Sequence, residues 1–254
     1  SSPWSNESGQ IQKVVIEEGV SSIGDWAFSY LSNLTDVSIS DTVTDIGDNA
    51  FCACYALETI DLPDSVENIG ADAFSLCNHM TAINVGVNNA KYSSHNGVLF
   101  DKNVTELIAF PLAKSGYYDI PDGVTKINKD AFSNCRYIER ISIPAGITTI
   151  EEGLLADCDR LDYAYIPDSI TKIGANAFSS NLDTIFYGGT REQWDSIEID
   201  DENAAITNAE IRCEVFPKAN TCGERVMWVY ENGTLTISGT GEIEDCIEWQ
   251  PWSS

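Results

Sequence analysis

Positive charge is what this chain has least of. Its 254 residues include 14 Lys and Arg against 40 Asp and Glu, a formal net charge of −26. A surface this acidic repels phosphate, which excludes nucleic acid and anionic lipid as partners and leaves cationic or neutral ones. Histidine is almost missing: His79 and His95 are the two, and neither stands beside a nucleophile-bearing motif. GxSxG, HExxH, a glycine-rich phosphate loop and a dinucleotide fingerprint are all absent. Acidic pairs such as Asp200 and Asp201 do not fill that gap, because at this net charge a pair anywhere is expected. The reading is no enzyme, no catalytic residue and no cofactor. Long apolar runs are missing too. Nothing approaches the ~18 residues that cross a bilayer as a helix, and no basic-then-apolar leader opens the chain. No membrane insertion is expected of this segment.

What the chain has in quantity is one motif. The stretch 60–82, IDLPDSVENIGADAFSLCNHMTA, recurs from positions 14, 37, 118, 141 and 164 with small changes, at a spacing of 23 residues within each run. A fixed period in this range means stacked coils that share a core. Ile60 and Leu62 alternate with Thr59 and Asp61, the period of two of a strand with one buried face. Val66, Ile69, Ala73, Phe74, Cys77 and Met80 follow at offsets that the other coils repeat. Pro63, Pro121, Pro144 and Pro167 stand at the strand exit, where the ladder needs no donor. Gly70 and its counterparts mark a turn, and the ADAF, DNAF or ANAF segment after it is predicted to form one short helical turn on the outer face.

A hydrophobic strand, then Pro, then GVTxIGxxAFxxC resembles the BspA-type leucine-rich repeat family, over about 14–216. That resemblance implies an α/β leucine-rich repeat solenoid, right-handed, with a parallel β-sheet on the concave face and short helical turns on the convex face. It also implies display on a bacterial cell surface, outside the cell, with signal and anchor outside this segment. Adhesion or ligand binding is the implied role. The division expected is 1–13 as the tail of a preceding module, 14–216 as about eight coils, and 217–254 as a partial β module. Within that last part, Val226, Trp228 and Tyr230, a turn at 231–233, then Leu235 and Ile237 read as a β-hairpin.

Two coils depart from the pattern. The fourth, 83–116, is twelve residues longer than the period. Val98, Leu99 and Phe100 against 107–110, with a polar turn between them, predict a hairpin projecting from the solenoid. The last coil, with its YGGT start, resembles the family's terminal unit, and Trp194 is expected to close the open end of the core.

Cys54, Cys77, Cys135 and Cys158 share one repeat position, which predicts a column of buried thiols. Cys52, Cys54, Cys77 and His79 lie in adjacent coils, but the inward-facing sulfurs and the lack of CxxC…CxxC spacing argue against zinc. Asp101, Lys102 and Asn103 open like a calcium loop yet lack its Gly and final Glu, so they read as a turn. No metal is expected. Cys222 and Cys246 can pair within the C-terminal part in an exported protein.

Strand residues that alternate with the buried ones must face the concave side. In the first half these are Val15, Glu17, Asp36, Ser38, Thr59, Asp61, Ala82 and Asn84, a row that is mainly small and acidic. In the second half Tyr117, Arg140, Tyr163, Tyr165 and Phe186 stand side by side, the composition of an interface hot spot exposed on a rigid sheet. They are the candidate ligand-binding residues; the alternative is a patch that a neighbouring module or a second chain covers, since aromatic residues also pack cross-strand in any sheet. The partner expected is a protein or extracellular-matrix ligand, with polysaccharide as an alternative, and the chain is expected to be a monomer. Other readings are a carbohydrate-binding or targeting appendage of a larger secreted enzyme, or a passive spacer.

Overall fold

The computed structural model describes residue 4, residues 7–213 and the backbone of two further strands, Val226–Glu231 and Thr234–Gly239. The repeat spacing reappears as strand register. Val14 pairs with Val37, Ile60 with Ile83, Tyr118 with Ile141 and Ile141 with Ala164, all in parallel. Because equivalent residues face each other, the buried isoleucines of one coil sit on those of the next. These long strands form the principal sheet: Lys13–Ile16 with Asp36–Ile39, Thr59–Leu62 with Ala82–Val85, then five strands from Gly116–Asp119 to Glu210–Arg212. A second ribbon of two-residue strands runs alongside, with Ile23, Ile46 and Ile69 in one ladder and Ile150, Ile173 and Ile199 in another. Turns close four of the coils at a proline, where Val66, Val124, Ile147 and Ile170 donate to the Pro63, Pro121, Pro144 and Pro167 carbonyls.

Nine principal strands are present among the described residues, one more than the eight coils read from the repeat. The ninth is Glu210–Arg212, which adds to Thr184–Tyr187 in parallel although 26 residues separate the partners. The expected helical turns are absent from the described outer segments. In the first, second and sixth coils backbone N–H groups there alternate between a local acceptor and the next coil. Ala50 donates to Gly47, whereas Asn49, Phe51 and Ala53 donate to Ala71, Ala73 and Ser75 one coil on. A helix would direct every donor locally, so stacking and helix compete, and stacking prevails. The geometry needs positive φ at repeat-related sites, namely Trp26, Asn49 and Asp72, then Tyr30, Ala53 and Leu76. Asn and Asp accept that region readily, while Trp and Leu do so under constraint. The helices described are Arg191–Trp194 and Ala204–Asn208. A Thr190 and Gln193 capping box starts the first of them and turns Trp194 into the core against Tyr187, 5.3 Å between ring centroids.

The fourth coil does not project. Tyr92–His95, Val98–Asp101 and Glu106–Ala109 form an antiparallel run, and the last of these pairs in parallel with Lys126–Ile127 of the next coil. Val98, Leu99, Phe100 and Leu107 are fully buried. Four apolar side chains side by side are too costly to leave in water, so the insertion folds into the stack. Its first turn is Asn96 and Gly97, both at positive φ, the two-residue hairpin geometry that Asn-Gly favours. A Cβ on Gly97 would stand 2.7 Å from the Cβ of Ala82. Buried Asn89 fixes the insertion to the third coil: its amide donates to the Pro63 and Val66 carbonyls and its oxygen accepts from the Lys91 and Tyr92 N–H groups.

At the N-terminal end Trp4 stacks on Phe28 at 5.3 Å, and its indole N–H donates to the Ala27 carbonyl. Phe28, Phe51 and Phe74 continue the column. In the C-terminal segment, Val226–Glu231 and Thr234–Gly239 pair antiparallel with Glu231 opposite Thr234. Cys222 and Cys246 lie outside the described residues.

Candidate functional site

Register brings the five candidate residues together. Tyr117, Arg140 and Tyr163 are direct cross-strand neighbours, and Ser142, Tyr165 and Phe186 form the next row, followed by Arg212. The Arg140 guanidinium lies over the Tyr117 ring at 4.8 Å and the Tyr165 ring at 5.3 Å. Tyr165 stacks on Phe186 with centroids 4.7 Å apart and planes 15° apart; Tyr163 meets Phe186 at 6.1 Å. Arg212 covers Phe186 at 5.7 Å. Sequence reasoning missed Arg212 because its partner strand lies 26 residues back rather than 23.

The row is contiguous but not the open patch expected. Tyr117 is 43% exposed and Tyr163 half-buried, whereas Arg140, Tyr165 and Phe186 are 3%, 1% and 3% exposed. Planar groups stacked face to face withdraw one another's apolar area from water, and a guanidinium stacks as readily as a ring. What remains at the surface is the Tyr117 end.

Arg140 also has an incomplete electrostatic environment. Its terminal nitrogen reaches the two Asp119 carboxylate oxygens at 3.3 and 3.5 Å, long for a charge-assisted bond. Its Nε is buried and has no hydrogen-bond partner among the described residues. A buried unpaired donor is costly, and such groups are uncommon in folded proteins. Nearby, burial pushes the Asp162 carboxyl above its ordinary range, with Glu139 and Asp183 adding to the effect.

The first half of the same face is mostly polar, with Val15 exposed among short and acidic side chains. Lys13 pairs with Asp36 at 2.8 Å, and the Asn84 amide donates to the Asp61 carboxylate at 2.8 Å. No group of three or more metal-ligating side chains occurs among the described residues. The cysteine column is structural. Cys54, Cys77, Cys135 and Cys158 are buried and direct their thiols at the Phe28, Phe51, Phe110 and Phe132 carbonyls of the preceding coil. His79 is held by the Tyr55 carbonyl at 2.6 Å. Asp101 forms a turn, its carboxylate accepting from the Thr105 N–H and hydroxyl and the Glu106 N–H.

Stacked parallel strands with a repeat register, closed by outer turns, define a leucine-rich repeat solenoid. The chain belongs to the BspA type Leucine rich repeat family, whose pattern matches residues 4–115 and 106–200 in six copies. Among solved structures, the pneumococcal vaccine antigen PcpA is similar with a TM-score of 0.62 and 22% identity, over 71% of this chain and 51% of that one. A leucine rich cell surface protein from Faecalibacterium prausnitzii A2-165 is similar with a TM-score of 0.58 and 28% identity, over 75% of this chain and 63% of that one. This chain therefore spans about half of the first and under two thirds of the second. A search of curated proteins finds no match.

Proposed function

We propose that this chain is a non-catalytic binding segment of a bacterial cell-surface protein, and that it engages a protein or matrix ligand at the Tyr117 end of its concave face. The observation that carries this reading is Arg140. A guanidinium clamped between two tyrosines, with one long ion pair to exposed Asp119, fixes the Tyr117 ring at the surface as a rigid contact for a ligand. Tyr117 is the exposed side chain over it and presents a ring for contact. Surface display is supported by the family and by the description of the Faecalibacterium relative.

The test is binding to immobilised extracellular-matrix proteins and polysaccharides, comparing the parent with Tyr117→Ala. Tyr117 is exposed, so its truncation leaves the Tyr165 and Phe186 pair intact, whereas truncating buried Tyr165 or Phe186 would confound binding with unfolding. A ligand held by the parent and lost by the variant at equal Tm supports the reading. Capture of polysaccharides alone would favour a carbohydrate-binding appendage. Burial of Arg140, Tyr165 and Phe186 favours a passive spacer as the second reading, because a closed ridge stiffens the sheet without any ligand. Absence of binding across the panel would select it.

A further inference from the structure

The outer ladder of hydrogen bonds runs from coil to coil but is interrupted after the third coil and again after the fifth, where the Phe132 and Asn134 N–H groups find no acceptor among the described residues. Trp26, Phe28 and Tyr30 donate to Asp48, Ala50 and Cys52, and Asn49, Phe51 and Ala53 donate to Ala71, Ala73 and Ser75. The equivalent donors of the third coil, the N–H groups of Asp72, Phe74 and Leu76, find no acceptor among the described residues. Across the gap, Phe110 of the fourth coil makes a single ladder bond, to the Ala131 carbonyl at 3.0 Å. The flanking Lys129 and Ser133 carbonyls accept none among the described residues. After the third coil the break coincides with the insertion. It brings the chain back one layer late, with Pro111, which has no N–H, next to Phe110, so the fourth coil's outer turn follows the fifth coil and leaves the third.

Between the two edges is a cavity of about 350 Å³, within the range of natural ligand pockets. Its floor is apolar, built from Phe74, Met80, Leu99, Ile108, Phe110 and Leu112. The aromatic column is interrupted at the same place: Phe51 meets Phe74 at 6.1 Å, and the stack resumes with Phe110 on Phe132 at 5.1 Å. One wall therefore offers donors at every second residue, the other offers acceptors, and the floor lacks one apolar side chain.

We propose that this slot binds an extended peptide segment of another protein, one that supplies the missing rung of the ladder. Addition of a strand to an open edge takes its affinity from main-chain bonds and its selectivity from pockets for alternate side chains. The chain itself shows which sequence fits, since Asn-Ala-Phe occupies this layer at 49–51 and 176–178. In that arrangement the carbonyls before Asn, of Ala, and after Phe accept from Asp72, Phe74 and Leu76, and the phenyl ring enters the break in the column. Asp72 and Asp130 line the slot against one base, Lys129, and the whole chain carries −26. Basic residues flanking the apolar pair complete the match.

The experiment uses the whole chain and an acetylated, amidated probe peptide, Lys-Asn-Ala-Phe-Ser-Lys, followed by titration calorimetry and residue-resolved amide exchange. The expected result is saturable binding with Kd below about 1 mM and exchange at the Asp72, Phe74 and Leu76 amides slowed at least about tenfold. Ser133→Trp, which places a ring in the slot from an exposed position, should abolish both effects. Absence of binding, protection confined to other amides, or undiminished binding by folded Ser133→Trp would overturn the proposal. Should that variant fail to fold, the protection pattern of the parent decides alone. Protection of the same amides by raised protein concentration without peptide would assign the slot to a second copy, and would also overturn it.

Discussion

The two halves of this solenoid are built from one repeat, yet they differ in what they bury and what they show. The first three coils enclose a core that runs from Ile16 to Ile83 along the column Trp4, Phe28, Phe51 and Phe74. Their principal-sheet face is short and mostly polar, Val15 being its exposed apolar side chain. The later coils enclose a second core, from Val98 to Ile206, beneath a continuous five-stranded sheet that carries the Arg and Tyr ridge. One strand of the insertion separates them. Leu99 belongs to the first core, while Val98 and Phe100 on its other side belong to the second. Alternation along a strand, which usually divides core from solvent, here divides core from core. The fourth coil is a partition wall, and the slot on the outer side is the seam it leaves.

The strongest way to break this comparison is to empty one half. Phe51 is fully buried between Phe28 and Phe74, so Phe51→Ala should cost about 3–5 kcal/mol in urea unfolding. Repeat arrays are stabilised by nearest-neighbour contacts, so the loss should stay local. Amide exchange in Asp36–Ile39 should rise towards that of the unfolded chain while Ile141 and Ala164 keep their protection. Equal loss of protection in both halves would show that the wall transmits stability rather than dividing it. Phe74→Ala should fall near 3 kcal/mol, the low end of the same range, because Phe74 faces the slot and has an aromatic neighbour on one side.

The wall itself is tested next. Asn89 is fully buried and satisfies four hydrogen bonds, two of them to third-coil carbonyls. Asn89→Ala leaves buried backbone groups unpaired and should cost about 1–3 kcal/mol. If the insertion owes its place to apolar burial alone, the cost will be close to zero and exchange at Tyr92–His95 will be unchanged.

Most of the architecture was legible because the repeat is regular. Offsets at Ile60, Leu62, Val66, Ile69 and Phe74 give register directly, and the cysteine column follows from the same arithmetic. Failures arose where a local cue met a tertiary one. DNAF at 48–51 reads as a helical turn by composition, but the stacked neighbour claims the Asn49 and Phe51 N–H groups. The insertion reads as a projection by length, but burial of Val98, Leu99 and Phe100 draws it inward. Its first hairpin did carry a signal, Asn96 followed by Gly97, which alone could have placed Tyr92–His95 against Val98–Asp101. The ridge residues were found by alternation, yet their burial was not, because stacking among Arg140, Tyr165 and Phe186 depends on side-chain planes that a sequence does not encode. The unpaired Nε of Arg140 has no sequence signal, whereas the open edge after the third coil coincides with the twelve extra residues and Pro111.

Acid provides a smaller probe of the wall. Burial pulls the Asp101 carboxyl upward, but hydrogen bonds from Glu106 and Thr105 outweigh it and leave the group below its ordinary value. A carboxyl with a folded-state pKa below the unfolded one stabilises the fold fully above the unfolded value of about 3.9. That contribution disappears as pH falls through the folded pKa. Asp101→Asn should therefore cost about 1 kcal/mol at neutral pH, and the difference between parent and variant should shrink below about pH 4. A difference that persists at pH 2 would mean that shape rather than charge holds the turn between Val98–Asp101 and Glu106–Ala109.

The finest distinction lies in the thiols. Cys54 and Cys77 approach the carbonyls of the preceding coil at 3.2 Å, whereas Cys135 and Cys158 stand off at 3.8 and 3.9 Å. Burial pushes the Cys54 and Cys158 thiols up to about 12. Both therefore remain protonated donors at neutral pH and should resist iodoacetamide in the folded protein, while half-exposed Cys213 reacts. Replacing sulfur by a methyl hydrogen removes similar volume at both sites, so the difference between Cys54→Ala and Cys158→Ala isolates the hydrogen bond. Cys54→Ala should be the more destabilising by about 0.5 kcal/mol, the low end for a net hydrogen bond. Equal costs in urea would mean that the thiols serve as fillers in both halves, and that the halves differ only in their aromatic columns.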